Sequence, residues 1–293
     1  MAKLCDNRTV IVTGAGGGLG RAYALALGEN GANVIVNDIN AETGQSTVDA
    51  IKAAGGKATL SLNDITDYDS AFEIVKMAIN TYGDIHAVVN NAGQNRDRMF
   101  TSLSPDDWDA IMAVHLKGHF CISSHAAKYW RQQSKEGKTV NARIINTSSG
   151  AGLQGSVGQS NYVAAKAGIL GLTINQAAEL GRYGVTANAV APQGRTGMTE
   201  EVMADMMKKP EDGSFDVMDP ANVAPLIVYL VSESSSHVSG HCFESWGGKL
   251  ALAEGWKTGP MKDKGARYEP SEIGDVIEDL VKITPPAQKV YGT

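Results

Sequence analysis

The sequence contains few cysteines and no long apolar segment, and both features exclude classes of protein. Cys5, Cys121 and Cys242 lie far apart and form no CxxC pair, so neither disulfides nor a zinc cluster are expected and a reducing cytoplasm is predicted. No apolar run approaches the ~20 residues of a membrane-spanning helix. Residues 1–6 are too short and polar for the core of a signal peptide.

Positive charge is also scarce. The formal net charge is −6, whereas a nucleic-acid-binding protein concentrates basic residues on one face. The pairs His115/His119 and His237/His241 have i, i+4 spacing, but neither carries the adjacent glutamate of an HExxH metal site. We therefore predict no nucleic-acid partner and no metal ion, and we assign these histidines to packing or hydrogen bonding.

The chain, 293 residues long and 43% apolar, alternates short Val- and Ile-rich runs with segments of helical periodicity. Strands are predicted at residues 9–13, 34–37, 58–62, 86–90, 142–147 and 185–190. Helices are predicted at residues 19–30, 41–54, 68–82, 106–133 with a break or two, from 162 onward, and at 222–230. Apolar runs without polar alternation are typical of strands buried on both faces. The pattern predicts an α/β fold, a Rossmann-type doubly wound parallel sheet with helices on both sides.

The composition shifts only after about Gly255, where Gly, Pro and Lys cluster. We therefore predict a single catalytic domain over residues 1–254 and a C-terminal extension over residues 255–293. The extension contains apolar residues at helical spacing: Ile273, Val276, Ile277, Leu280 and Val281. This spacing predicts an amphipathic helix that packs on the same subunit or on a neighbour.

A glycine-rich turn connects the first predicted strand to the first predicted helix. Glycine permits positive φ and a close backbone approach to a pyrophosphate, which the helix N-terminus stabilises. The spacing departs from the GxGxxG fingerprint of dinucleotide-binding domains, and glycine also serves the packing of a helix on a strand. The candidate cofactor contacts in this turn are Gly14, Gly16, Gly17, Gly18, Leu19 and Gly20.

Asp38 ends the second predicted strand, near the ~20-residue offset of the acidic residue that binds a cofactor ribose. The alternative is a strand-end aspartate in a turn with Asn37 and Asn40. In the ribose role, the carboxylate would repel a 2′-phosphate, so the predicted cofactor is NAD rather than NADP.

Tyr162 and Lys166 are four residues apart where a helix begins, so both side chains project from one face. A tyrosine has an ordinary pKa of about 10, and an adjacent ammonium favours its phenolate. Ser149 follows the C-terminal end of a predicted strand, at the edge of the sheet where open α/β folds bind ligands. These three residues are the candidate catalytic group.

Four motifs occur together in this chain: the turn at residues 13–20, Asn90-Asn91-Ala92-Gly93, Ser149 and Tyr162-x-x-x-Lys166. In these motifs and their order, the chain resembles the short-chain dehydrogenase/reductase family over about residues 5–247. The resemblance implies that Tyr162 transfers the substrate proton, that Lys166 lowers the pKa of Tyr162 and holds the nicotinamide ribose, and that Ser149 orients the carbonyl. The further cofactor contacts that it implies are Asp64, Ile65, Asn91, Ala92, Gly93 and Thr196. It also implies a homotetramer or homodimer, with the helices around residues 106–133 and 162–182 at one interface.

His115 occupies the position where the family has an asparagine that supports a proton relay. Either the histidine takes over this relay, or the relay runs through backbone and water alone. The histidine at this position is one of three features that resemble the dehydrogenase part of peroxisomal multifunctional β-oxidation enzymes and its free-standing bacterial relatives. The other two are Arg96-Asp97-Arg98 and Pro192-Gln193-Gly194. That resemblance implies (3R)-hydroxyacyl-CoA thioesters or hydroxysteroids as substrates.

The leading hypothesis is therefore an NAD-dependent oxidoreductase that interconverts a secondary alcohol and a ketone. The alternatives are a 3-oxoacyl-[acyl-carrier-protein] reductase, whose usual preference for NADPH conflicts with Asp38, and a regulatory subunit without activity, which conflicts with the intact Ser149, Tyr162 and Lys166. The segment between Thr196 and Pro220, where the substrate is expected to enter, contains five of the ten methionines. These side chains either pack in the core or form a mobile lid over the substrate. They are Met198, Met203, Met206, Met207 and Met218.

Overall fold

The computed structural model describes residues 3–196, 208–255, 257–286 and 288–290. Its centre is one eight-stranded sheet in the order β3-β2-β1-β4-β5-β6-β7-β8. The first seven strands are parallel, and β8 pairs with β7 in the antiparallel sense. The strands are β1 (Thr9–Thr13), β2 (Asn33–Asn37), β3 (Lys57–Ser61), β4 (Ala87–Asn90), β5 (Ala142–Thr147), β6 (Val185–Pro192), β7 (Cys242–Trp246) and β8 (Lys249–Ala253).

Helices cover both faces of this sheet, as the doubly wound prediction requires. Successive strand residues alternate between two apolar clusters, one on each face of the sheet. Val10 and Val12 pack with the helices at residues 18–29, 41–53 and 224–231, whereas Ile11 packs with those at residues 68–82 and 118–135. The helices are α1 (Gly18–Glu29), α2 (Ala41–Ala53), α3 (Tyr68–Tyr82), α4 (Pro105–Ile111), α5 (Gly118–Lys135), α6 (Gly150–Gln154), α7 (Ser160–Leu180), α8 (Ala224–Val231) and α9 (Ile273–Ile283). A π-helical segment, Met112–Lys117, joins α4 to α5.

The predicted fold class is confirmed, and the predicted strands and helices end within about two residues of the observed ones. The break expected within residues 106–133 is the π-helical segment. Sequence patterning missed the hairpin of β7 and β8, because β7 contains Glu244 and Ser245 and its residues are mostly half-buried. It also missed α6, which is only five residues long and glycine-rich.

The topology determines where a ligand can bind. The chain first builds the sheet outward through β1, β2 and β3, then returns to the other side of β1 with β4. Loops at such a reversal diverge and leave a crevice beyond the carboxyl ends of the strands. Four of the predicted site residues lie at this edge, each within two residues of the end of a strand: Gly14 after β1, Asp38 after β2, Asn91 after β4 and Ser149 after β5.

The C-terminal extension contains the expected amphipathic helix, α9, which ends at Ile283 before Pro285-Pro286. The side chains of Ile277 and Val281 are exposed, so packing of this face on a neighbouring subunit stays a prediction, as does the division at residue 254. Within the described ranges, no helix combines the length and apolarity needed to cross a bilayer.

Candidate active site

The glycine turn after β1 is held against the end of β4. The Thr13 hydroxyl oxygen accepts hydrogen bonds from the backbone N–H of Asn91 at 2.9 Å and of Ala92 at 3.1 Å. Asn91 Nδ2 returns a bond to the Thr13 carbonyl oxygen at 3.0 Å. Gly14 has φ +63°, and a Cβ atom there would lie 2.7 Å from Ala92 Cα. The turn therefore requires glycine at position 14 for both its conformation and this close approach.

The turn leads into α1, and no side chain caps the N-terminal end of this helix. The N-cap residue Gly17 makes no side-chain capping bond, and a Cβ atom on Gly17 would face open space. Unpaired N–H groups at such a helix start are suited to a phosphate group. A Cβ atom on Gly18 would lie 3.0 Å from Thr196 Cγ2, and one on Gly194 would lie 3.2 Å from Leu19 Cδ2. The segment around residues 194–196 therefore lies over the start of α1.

Asp38 connects the end of β2 to the glycine turn. Its Oδ2 accepts a hydrogen bond from Gly16 N at 2.8 Å, and its Oδ1 accepts one from Asn40 N at 2.9 Å. Both interpretations of Asp38 thus have a structural basis: it shapes the strand-end turn, and its carboxylate lies at the rim of the glycine turn. A carboxylate at this rim fits the ribose of a dinucleotide.

The other expected cofactor residues lie along the same edge of the sheet. Asp64 and Ile65 follow β3, where Asp64 is exposed and Ile65 is buried. Asn37 Nδ2 bonds to the carbonyl oxygens of Ser61 and Asn63, at 3.2 and 2.9 Å, and so fixes this loop to β2. The glycine turn, Asp38 and this loop form a continuous cradle that fits a dinucleotide.

Ser149, Tyr162 and Lys166 are brought together by β5 and α7. Ser149 caps α6 by accepting a hydrogen bond from Ala151 N at 3.1 Å, and its side chain lies close enough to the Tyr162 phenol to lower the pKa of Tyr162. Lys166 Nζ donates to the Thr147 carbonyl oxygen at 2.7 Å and lies 5.4 Å from the centroid of the Tyr162 ring. The structure thus assembles the three predicted residues at one point of the crevice.

Burial dominates the protonation of this group. It raises the pKa of Tyr162, an effect that the nearby Ser149 side chain opposes. It lowers the pKa of Lys166 to about 7. In the protein alone, burial therefore acts against the phenolate that the family resemblance implies. Because burial disfavours both charged forms, they are best stabilised together, as a compensating pair of phenolate and ammonium.

His115 lies beside Tyr162, on the π-helical segment. Its ring meets that of Tyr162 edge-on at 5.1 Å between centroids, and its Nε2 lies 2.8 Å from the Gln94 carbonyl oxygen. A Cβ atom on Gly93 would collide with this ring. Burial, reinforced by the charge of Lys166, lowers the pKa of His115 to about 3. The imidazole is therefore neutral at physiological pH, and its role in a relay stays a prediction.

A buried amide network supports the site and was not predicted from the sequence. Asn90, at the end of β4, bonds through Nδ2 to Asn146 Oδ1 at 2.9 Å. Asn146, on β5, bonds in turn to Thr173 and Gln176 of α7, at 2.9 and 2.8 Å. The signal for this network was present in the sequence, as asparagines within otherwise apolar strands, since buried amides need partners.

Asn161 is a second residue that sequence reasoning missed. It precedes Tyr162, is fully buried, and accepts a hydrogen bond from Tyr162 N through Oδ1 at 2.8 Å. Its Nδ2 donates to the carbonyl oxygens of Arg96 and Asp107, at 3.1 Å each. Asn161 therefore fixes the start of α7 to the loop after β4, and it positions Tyr162 through the backbone.

The expected substrate side is described only in part. Met198, Met203, Met206 and Met207 lie outside the described residues. On either side of that segment, Arg195 forms a two-point ion pair with Asp216, with N–O distances of 2.9 Å. Met218 is partly buried, and its N–H donates to Asp216. The lid interpretation stays a prediction.

Residues 288–290 of the C-terminal extension lie near the candidate site. A Cβ atom on Gly155, in the turn between α6 and α7, would lie 3.3 Å from Cγ1 of Val290. The extension of this chain therefore contacts the segment between Ser149 and Tyr162.

Comparisons with known proteins agree with this geometry. The family model described as short chain dehydrogenase matches residues 8–207. Hydroxyacyl-CoA dehydrogenase ChsB1 of Mycobacterium tuberculosis is 41% identical over 300 residues, which cover 98% of this chain and 93% of that protein. Peroxisomal multifunctional enzyme type 2 of Mus musculus is 42% identical over 257 residues, which cover 84% of this chain but 33% of that enzyme.

A solved structure shows the same architecture. The crystal structure of a short chain dehydrogenase from Mycobacterium avium superposes with a TM-score of 0.91 at 51% sequence identity, covering 99% of this chain and 100% of that one. The doubly wound sheet, the assembled Ser149, Tyr162 and Lys166, and these similarities lead to one conclusion: the chain belongs to the short-chain dehydrogenase family of oxidoreductases, which act on CH–OH donors.

Proposed function

We propose that this chain is an NAD-dependent dehydrogenase that interconverts a 3-hydroxyacyl-CoA thioester and its 3-keto form. The observation that carries the proposal is the convergence of Ser149, Tyr162 and Lys166 beside a dinucleotide cradle whose rim carries the Asp38 carboxylate. The substrate class follows the relative from Mycobacterium tuberculosis, whose name specifies hydroxyacyl-CoA dehydrogenation.

The residues of the cradle suggest how each part of a dinucleotide would be held. The N-terminus of α1 and the glycine turn would hold the pyrophosphate. Asp38 would accept hydrogen bonds from the hydroxyls of the adenine-side ribose, and Asp64 and Ile65 would border the adenine. Ala92, Gly93 and Thr196 would line the remaining path toward Lys166, which would hold the nicotinamide-side ribose. Asn91 holds the turn in shape through its bond to the Thr13 carbonyl oxygen.

In the oxidation direction, bound NAD supplies the hydride acceptor for the carbon that carries the hydroxyl group. Tyr162, as the phenolate, takes the hydroxyl proton, and Ser149 donates a hydrogen bond to the same substrate oxygen. Lys166 stabilises the phenolate by its charge, which the Thr147 carbonyl oxygen helps to sustain. His115, being neutral, holds the loop after β4 through Gln94 rather than acting as a second acid.

The cofactor preference follows from the same rim. Because Asp38 already accepts two backbone N–H bonds, its carboxylate is fixed in place and cannot turn away from a 2′-phosphate. We therefore propose NAD rather than NADP.

One assay tests the substrate and the cofactor together. The purified chain is supplied with NAD⁺ or NADP⁺ and a (3R)-3-hydroxyacyl-CoA, its (3S) epimer, the same acyl group on acyl carrier protein, or a hydroxysteroid, and reduced cofactor is followed by absorbance. We expect the highest kcat/KM with NAD⁺ and the (3R)-CoA thioester. A preference for the carrier-protein thioester with NADP(H) supports the reductase alternative instead. Cofactor binding without turnover supports a regulatory subunit.

We also propose a homotetramer or homodimer in a reducing compartment, the cytoplasm. Exposed apolar side chains on the long helices, Phe120 of α5 and Ile174 of α7, support an interface there, and three free thiols support the compartment. Light scattering tests the assembly: Ile174→Glu should lower the molar mass, and an unchanged mass excludes this helix from the interface.

A further inference from the structure

The loop that follows β4 lies at the rim of the catalytic crevice and is tied to the segment that enters α7. Arg98 N donates to the Gly158 carbonyl oxygen at 2.8 Å, and Gln159 Nε2 donates to Asp97 Oδ2 at 2.9 Å. Asn161 Nδ2 holds the Arg96 carbonyl oxygen at 3.1 Å. These bonds fix residues 96–98 beside residues 158–161, the four that precede Tyr162.

Two guanidinium groups project from this loop. The side chains of Arg96 and Arg98 are 52% and 58% exposed, and both approach one carboxylate, that of Asp107, at 3.7 and 4.0 Å. Asp107 itself is 15% exposed, and its Oδ2 also accepts a bond from Ser104 at 3.0 Å. Asp97 turns its carboxylate inward to Gln159. Arg98 Nη1 also donates to the Asp97 carbonyl oxygen at 2.8 Å. Each guanidinium group carries five N–H donors, so these few contacts leave further donors on both exposed side chains for another acceptor.

Apolar side chains lie next to these arginines. Met99, Phe100 and Val157 are exposed, Phe100 by 75%. Met99 lies over the turn before α7, because a Cβ atom on Gly158 would be 3.9 Å from Met99 Sδ. The rim therefore presents a strip of apolar surface that ends at two cations. A ligand that suits it has an uncharged arm and a terminal group with several negative charges.

We propose that Arg96 and Arg98 bind the phosphate groups of the CoA moiety while its pantetheine arm crosses Met99 and Phe100. This inference rests on the proposed function and names the part of the substrate that gives it specificity. Guanidinium groups bind phosphate through two parallel hydrogen bonds. The nucleotide of CoA carries a diphosphate and a 3′-phosphate, a carrier-protein arm carries one phosphodiester, and a steroid carries none. The arginine pair therefore favours the free CoA thioester over both alternatives.

The test compares two thioesters that react identically and differ only in the nucleotide. Wild type, Arg96→Gln, Arg98→Gln and the double variant reduce acetoacetyl-CoA and the N-acetylcysteamine thioester of acetoacetate, each with NADH. For the CoA thioester, we expect KM to rise by about tenfold per arginine, the factor for one lost charge-assisted hydrogen bond. We expect kcat and all constants for the small thioester to stay within about twofold of wild type. Added salt should raise KM for acetoacetyl-CoA in wild type and much less in the double variant.

Arg182→Gln is the matched control, because Arg182 is exposed and follows the far end of α7, about 30 Å from Tyr162 along the helix. It should leave KM for both thioesters unchanged. Arg98→Lys should fall between wild type and Arg98→Gln, because lysine keeps the charge and loses the paired geometry. Equal increases in KM for the two thioesters would show that the arginines only support the loop through Asp107, which overturns the inference.

Calorimetry with free CoA separates this inference from the proposed function. Weaker binding of CoA by the double variant supports the arginine site even if no thioester is turned over, a result that would overturn the proposed function alone. Equal affinity of wild type and double variant for CoA overturns the inference, whether or not the thioester is a substrate.

Discussion

Replacing Asp38 by asparagine should reverse much of the cofactor preference. The substitution keeps the shape of the side chain and removes its charge. One amide oxygen cannot replace both carboxylate oxygens, which accept from Gly16 N and Asn40 N. The variant therefore loses one of two backbone bonds, at a cost of about 1 kcal/mol, and a drop in Tm of about 2 °C is expected.

The electrostatic change is larger. At about 5 Å, two unit charges repel by about 0.8 kcal/mol with the dielectric constant of water and about 3 kcal/mol at an effective value of 20. A 2′-phosphate carries nearly two charges, so removing the carboxylate relieves at least ~1.7 kcal/mol, roughly a 15-fold gain in kcat/KM with NADP⁺. Loss of a charged acceptor for the ribose hydroxyl lowers kcat/KM with NAD⁺ by about tenfold. Together, the ratio of the two constants should shift by about 100-fold.

The assay measures kcat/KM for NAD⁺ and NADP⁺ at a saturating concentration of one alcohol substrate, in wild type and Asp38→Asn. Asp49→Asn, a substitution on the exposed part of α2, is the control and should leave the ratio unchanged. The reasoning is refuted if wild type prefers NADP⁺, or if the ratio moves by less than about threefold in Asp38→Asn while the variant remains folded.

Three further predictions concern the cradle and the buried catalytic group. His115→Asn should keep kcat within about tenfold of wild type in steady-state assays, because His115 is neutral and general acid–base catalysis is assigned to Tyr162. Such catalysis contributes about 10²–10⁴-fold to the rate. Complete loss of activity in His115→Asn would give the histidine an essential role. Gly20→Ala should weaken NADH binding by more than about tenfold in a fluorescence titration, since the new Cβ atom would collide with the Gly14 carbonyl oxygen. Gly181→Ala is the control, because a Cβ atom there faces open space. Equal affinities of the two variants for NADH would show that the glycine turn does not bind the cofactor. Burial lowers the pKa of Lys166 from 10.5 to about 7, so the unfolded chain binds more protons between these values and the free energy of unfolding should rise with pH across that window. Urea titrations at pH 7.5 and 9.5 should show a smaller rise in Lys166→Met, and an equal rise would refute the lowered pKa of Lys166.

The fold was accessible from the sequence because its strands are short apolar runs between long helical patterns. Val34-Ile35-Val36 is typical of a strand buried on both faces, and its neighbours followed from the alternation. The β7–β8 hairpin was not accessible, since Glu244 and Ser245 interrupt any apolar signal and the pairing depends on the adjacent β6. Local sequence does not encode a pairing that tertiary contacts supply.

The site was accessible where helix spacing, a position at a strand end or a family motif indicates which residues meet in space. Tyr162 and Lys166 share a helix face, so their pairing could be predicted. The contacts of Asn161 with Arg96 and Asp107 join segments more than 50 residues apart, and no periodicity reports them. The same holds for the protonation of Tyr162, because the burial that raises its pKa depends on every element packed around α7.

In the proposed mechanism, Tyr162 performs the acid–base step of a hydride transfer to NAD. The decisive experiment for this role is a single-turnover measurement with Tyr162→Phe, at saturating NAD⁺ and a (3R)-3-hydroxyacyl-CoA, beside a fluorescence titration of NADH binding. We predict that NADH binding is retained within a few-fold and that the rate of NADH formation falls by at least about 10²-fold. An unchanged rate of NADH formation in Tyr162→Phe would contradict the account.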